Sequence, residues 1–293
     1  MTARNEATPN GAAEATPNAA TTEPAAYTGR GRMPAIFVGH GDPMIALRHD
    51  ELTEGMSQLG RRVVEEFGTP RAILMASAHW YTHGSWVQSA ERPRQTYDMY
   101  GFPDELYALK YEPSGHRALT DAVLATKGIE VAASDNWGID HGTWAPLVHM
   151  FPGAKIPVVQ ISVNGDEDAR YAYRLGQGLA HLRDEGYLVM GSGNVVHNLY
   201  EADWHNPGGT PQAQRFEARV TAAVEGRDQE GVKALNDAVW IMRDPSNPVD
   251  DRLAAGLSDS VKAALERLPL RDHVSPSAEY PLQVDRERAL TGS

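Results

Sequence analysis

Four histidines stand where chemistry would use them: His40 in Gly39-His-Gly-Asp42-Pro43, His79 at the end of Ile73-Leu-Met-Ala-Ser-Ala-His79, His141 in Asp140-His-Gly-Thr-Trp144, and His197 after Gly191-Ser-Gly-Asn194. Taken singly, each reads as an ordinary hydrogen-bonded histidine. Recurrence of the pattern at the ends of apolar runs is harder to assign to independent placement. Imidazoles gathered with a carboxylate hold Zn(II) or non-haem Fe(II). Two histidines and one carboxylate with open positions favour iron and oxygen chemistry, whereas three histidines, or two with a glutamate, also make a catalytic zinc site. The chain has no cysteine, so any metal must be held by His, Asp or Glu. No HExxH is present, and Gly191-Ser-Gly-Asn194 matches neither a phosphate loop nor a nucleophile elbow; it reads as a tight turn after a strand.

The elements that would position these rings alternate along the chain. Met33 to Val38 reads as a strand opened by Pro34, and Leu52, Met56, Leu59, Val63, Val64 and Phe67 have helical spacing between Asp50 and Phe67. The run that ends at His79 carries little charge and needs no alternation if both faces are covered, so it reads as a buried parallel strand with His79 at its C-terminal end. A polar and aromatic loop from Trp80 to Tyr111 follows, too long for a routine connection. Beyond it come a helix over Pro113 to Thr126, a short strand over Ile129 to Ala132, a loop carrying His141, a helix over Ala145 to Phe151, a strand over Ile156 to Val163, a helix over Asp166 to Glu185 and a strand over Tyr187 to Met190. This alternation predicts an α/β fold with a mostly parallel central sheet flanked by helices. Helices are expected over 216–224, 231–242 and 257–268, a linker over 244–251, and little order after 271.

Bulk properties narrow the field. With 39 acidic against 27 basic side chains the formal charge is -12, which repels phosphate backbones and excludes nucleic acid as an expected partner. No apolar stretch approaches the roughly 20 residues that a membrane helix needs. Residues 1–31, rich in Ala, Thr, Pro and Asn with ATPN repeated, read as a disordered tail without the layout of a secretion signal, and a cytoplasmic location is expected. Residues 32–243 are then expected to form the catalytic domain, and 244–293 a C-terminal extension that packs on it; the oligomeric state stays open.

GHGDPM around His40, SAHWYT around His79, WGIDHGTWAPL around His141 and SGNVVHNL around His197 occur in that order, and together they closely resemble the class III extradiol ring-cleavage dioxygenases of the DOPA 4,5-dioxygenase-like branch. PAIF before the first motif, ERPRQTYDMYGFPDELY after the second and IPVVQISV before the fourth extend the likeness over Met33 to His205. The resemblance implies an α/β fold and O2-dependent opening of a small catecholic ring beside one hydroxyl.

Carried over, it makes His40 and His79 metal ligands, gives His141 a place facing substrate or oxygen, and gives His197 the acid–base role, with His197 a ligand in zinc-bound members. The late ligand falls on Glu279 in Ser275-Pro-Ser-Ala-Glu279-Tyr-Pro-Leu282, where the expected neighbouring histidine is missing; Glu201 and His205 are alternative donors. Asp42 and Asp140 are expected to orient the adjacent imidazoles. Fe(II) is the expected metal and Zn(II) the alternative. Two other readings stay open: a non-catalytic metal or ligand binder of the Memo type, and a zinc-dependent hydrolase.

Overall fold

The computed structural model describes residues 29–196, 206 and 208–226. Along the chain run β1 (Ala35–Gly39), α1 (Glu51–Phe67), β2 (Ala72–Thr82), β3 (Trp86–Gln88), α2 (Asp104–Ala108), α3 (Arg117–Leu124), β4 (Ala132–Ser134), α4 (His141–Met150), β5 (Val158–Asn164), α5 (Ala169–Leu179), β6 (Tyr187–Gly193) and α6 (Pro211–Glu225). The strands form one sheet in the order β1-β6-β2-β5-β3-β4, parallel throughout except where β3 meets β5. The expected α/β class and mostly parallel sheet are therefore found.

Period-two alternation divides the core. Ile73 and Met75 of β2 join Leu188 and Met190 of β6 under α1 and α4, while Ala72 and Leu74 join Val159 and Ile161 of β5 under α3 and α5. Both faces of β2 are thus covered, which is why its sequence is apolar without alternation. α1 turns Thr53, Met56, Gly60 and Val63 inward at helical spacing, and a capping box between Asp50 and Thr53 fixes its start.

Several elements differ from the sequence-based expectation. β2 does not stop at His79 but continues to Thr82, because the chain pairs again with β5 at Tyr81 after an irregular stretch. The long loop after His79 contains β3 and α2, both too short to leave a periodic signal. His141 is not in a loop: it is the first residue of α4, whose start is set by the Asp140 side chain accepting from the Thr143 amide. The expected helix over 216–224 lies within α6, whereas those over 231–242 and 257–268, the linker and the C-terminal end fall outside the described residues, as does the tail up to residue 28.

α4 is buried almost all round and has no amphipathic stripe to read. It is seated by α1, where a Cβ built on Gly60 would lie 2.0 Å from the Met150 carbonyl oxygen. Only a residue without a side chain lets the helices approach so closely. Gly60→Ala is expected to lower unfolding stability by about 1–3 kcal/mol, the cost of an overpacked contact, despite alanine's better helix propensity; urea denaturation measures it.

Candidate metal centre

Three parallel strands and one helix deliver the site. β1 ends at Gly39 and hands on His40, whose amide donates to the Gly193 carbonyl at the end of β6 (3.2 Å). β2 leaves its ladder with β6 after the Ser77–Ser192 pair, and His79 follows in the irregular stretch where β2 runs from Ala76 to Tyr81 while β5 advances only from Ile161 to Val163. α4 opens beside them with His141. All three rings meet at the C-terminal rim of the parallel strands, where open α/β sheets bind ligands.

Nε2 of His40 and Nε2 of His79 stand 3.1 Å apart. A ligand atom of His141 lies within 4.8 Å of both, and the His79 and His141 ring centroids are separated by 3.9 Å. His40 and His141 are buried, and His79 is partly so. Two nitrogens bound side by side to one ion, each at about 2.1 Å, lie about 3.0–3.4 Å apart, so the His40–His79 spacing fits a shared ion.

The proton on the His40 ring can be assigned from its partners. Pro146 has no amide to bond the carbonyl of Gly142 four residues earlier in α4, and that carbonyl accepts the Ser192 hydroxyl. With its only proton so committed, Ser192 Oγ must accept from His40 Nδ1 at 2.8 Å. His40 then carries hydrogen on Nδ1 and turns a lone pair on Nε2 toward His79. A matching connection runs through Ser77, whose hydroxyl donates to Asp140 (2.7 Å) and accepts the His79 amide (3.2 Å).

Asp140 also accepts from Trp137 Nε1 and Gln160 Nε2, both at 2.8 Å, so it acts on His79 through Ser77 and on α4 as its cap. Burial, and next the charge of Asp98, push its carboxyl up to about 6 against the pull of its hydrogen bonds. Asp42 accepts from the Met44 amide at 2.8 Å and pairs with Arg48; among the described residues no imidazole is recorded as its partner.

One participant was not singled out in the sequence. Asp98 accepts the His141 amide through Oδ1 (2.9 Å) and His141 Nδ1 through Oδ2 (2.9 Å), and Oδ2 lies 3.4 Å from His79 Nδ1. Burial alone would raise its carboxyl, but the His141 hydrogen bonds and the charges of His141 and His79 hold it below the usual carboxylate range. It stands inside Tyr97-Asp-Met-Tyr100, a stretch marked by the length of its loop and by the family resemblance but with no residue in it assigned a role. Among the expected site residues, the structure brings together His40, His79 and His141 with Asp140 beside them. His197, Glu201, His205 and Glu279 lie outside the described residues.

A family model described as the catalytic LigB subunit of aromatic ring-opening dioxygenase matches residues 34–244. A second, alpha-1,4-glucan:maltose-1-phosphate maltosyltransferase domain N/S, matches residues 209–286. A 4,5-DOPA dioxygenase extradiol of Escherichia coli is 39% identical over 65% of this chain and 70% of its own length. The protein of the same name from Beta vulgaris is 36% identical over 67% and 75%. The crystal structure of an uncharacterized Escherichia coli K12 protein superposes with a TM-score of 0.59 at 32% identity, covering 75% of this chain and 83% of that one.

Gly142 is the packing point of the rings. A Cβ there would lie 2.5 Å from Ser77 Oγ, 2.8 Å from His79 Cδ2 and 3.2 Å from His40 Cε1. Gly142→Ala is therefore expected to displace His79 and to lower Fe(II) or Zn(II) content per chain, read by metal analysis after equilibrium dialysis. Full metal content in that variant would show that the rings need no such tight packing.

Proposed function

The chain belongs to the family of catalytic LigB subunits of aromatic ring-opening dioxygenases, and on that premise we propose that it opens a small catecholic ring with O2 at a non-haem Fe(II) held by His40 and His79. The observation that carries this reading is the 3.1 Å approach of two Nε2 atoms, with the His40 lone pair aimed at His79. The names of the relatives make 3,4-dihydroxyphenylalanine the first catechol to try. No described helix is long and apolar enough to cross a membrane.

When bound, the metal supplies a Lewis-acidic centre at which both catechol oxygens and O2 gather. The protein's part is placement and proton handling. His141, with Nδ1 engaged by Asp98, presents Nε2 to a substrate hydroxyl or to oxygen. His197 is assigned the acid–base role, since an imidazole with a near-neutral pKa can take the second hydroxyl proton and return it later. The ring bond beside one hydroxyl is broken and each of its carbons gains one oxygen atom, so the reaction consumes one O2 and no external reductant. Residues 32–243 make up the catalytic unit in this reading.

Loading with Fe(II) under anaerobic conditions, followed by O2 and a panel of catechols, should give a yellow ring-opened product containing two atoms from labelled O2. His40→Ala and His79→Ala should each reduce this to background. Metal retention without O2 uptake for any catechol would instead fit a metal-binding protein that has no ring-cleavage activity.

Glu279 is proposed as the carboxylate ligand, although it lies past residue 244, in the stretch shared with the maltosyltransferase domain. Glu279→Gln separates the alternatives. If Glu279 binds the ion, Fe(II) affinity should fall well below that of the parent chain in calorimetric titration; an unchanged affinity assigns the remaining positions to other donors or to water.

A further inference from the structure

We infer that Asp98 is the positioning residue of the centre: one of its oxygens holds a proton on Nδ1 of both His79 and His141, and so leaves the Nε2 lone pair of His79 for the ion and that of His141 for substrate or oxygen. This rests on the metal-binding half of the function proposed above and not on ring cleavage.

Asp98 Oδ1 is engaged by the amide of His141, which ties the carboxylate to the first residue of α4 and leaves Oδ2 for the rings. Oδ2 lies 2.9 Å from His141 Nδ1 and 3.4 Å from His79 Nδ1. An ionised carboxylate only accepts hydrogen bonds, so it requires hydrogen on the His141 nitrogen bonded to it at 2.9 Å and favours hydrogen on the His79 nitrogen facing it at 3.4 Å. A neutral imidazole protonated at Nδ1 has its lone pair at Nε2, the form that an ion bound at Nε2 requires. The third ring reaches the same state by the separate route through Ser192. Satisfying the start of α4 accounts only for Oδ1, which accepts the free His141 amide, and leaves Oδ2 for the rings. Asp140 is satisfied by Ser77, Trp137 and Gln160, whereas Asp98 aims its second oxygen at one ring proposed to bind the ion and at one that faces substrate or oxygen.

The sharing also couples the rings. His79 is a proposed ligand and His141 faces substrate or oxygen, yet a single atom orients both. Displacing that atom therefore changes metal affinity and substrate handling together.

The test uses metal-free protein labelled with 15N in histidine, then Co(II) alone as probe. Long-range proton–nitrogen correlation spectra of the parent chain should show His79 and His141 with hydrogen on Nδ1. In Asp98→Asn, at least one ring should switch to hydrogen on Nε2, Co(II) affinity should fall about 10–100-fold, the usual effect of losing such an orienting partner, and the Co(II) visible spectrum should change. Asp98→Glu should recover part of the affinity. Hydrogen on Nε2 of either ring in the parent chain overturns the inference, as does Asp98→Asn with parental tautomers and parental Co(II) affinity. If Asp98→Asn does not fold, the parent spectrum alone decides. No catechol enters these measurements, so a failure of the ring-opening assay leaves the inference standing.

Discussion

Two imidazole nitrogens brought to 3.1 Å, with hydrogen already committed on the far side of the His40 ring, form an arrangement that wants a cation between them. A proton on His79 Nε2 or a shared ion can occupy that gap, and either one uses the His40 lone pair. The surroundings meet this demand by fixing each ring from behind. Ser192 holds His40, Ser77 holds the His79 backbone, and Asp98 lies against both His79 and His141. None of these interactions is strong alone, since a net hydrogen bond contributes about 0.5–1.5 kcal/mol. They act together because each bond fixes one side of a ring and leaves the other side facing the shared space.

This arrangement depends on backbone features far from the ion. The Gly142 carbonyl is available to Ser192 because Pro146 supplies no amide for it, and the absence of a side chain at Gly142 lets α4 come down onto the rings. α4 in turn is held from behind by its close approach to α1 at Gly60. Residues that read as poor helix formers, one glycine and one proline in a short helix, are the ones that connect the helix to the site. Local propensity is given up where the chemistry needs a free carbonyl and an open approach.

The sequence made part of this legible. Apolar runs ending in Gly and His marked β1, β2 and β6, because covered parallel strands leave a continuous apolar signal and their C-terminal ends are where ligands gather. His40 and His79 were reachable in that way, and His141 through its Gly- and Asp-rich loop. Asp98 was not: it lies in a stretch with no helical or strand period, held by long-range bonds to α4 that no local pattern encodes. Asp42 and Asp140 share the local context of an aspartate beside a histidine and a glycine. They differ only in what the fold brings near, an arginine for Asp42 and a ring of buried donors for Asp140. The start of α4 was hidden for a related reason, since a helix buried on all sides carries no amphipathic stripe to mark its beginning.

The preorganised part of the centre is complete within a continuous section of chain. His40, His79, Asp98, His141 and Ser192 come from β1, β2, the loop after β3, α4 and β6, and the hydrogen bonds that orient the rings join these residues to one another. Whatever later residues add, they add to a nitrogen face already aimed. In the proposed reading, donors from the late part of the chain set how many positions around the ion stay open. Since open positions decide whether substrate and O2 can reach a metal together, such donors act on reactivity as well as on metal affinity.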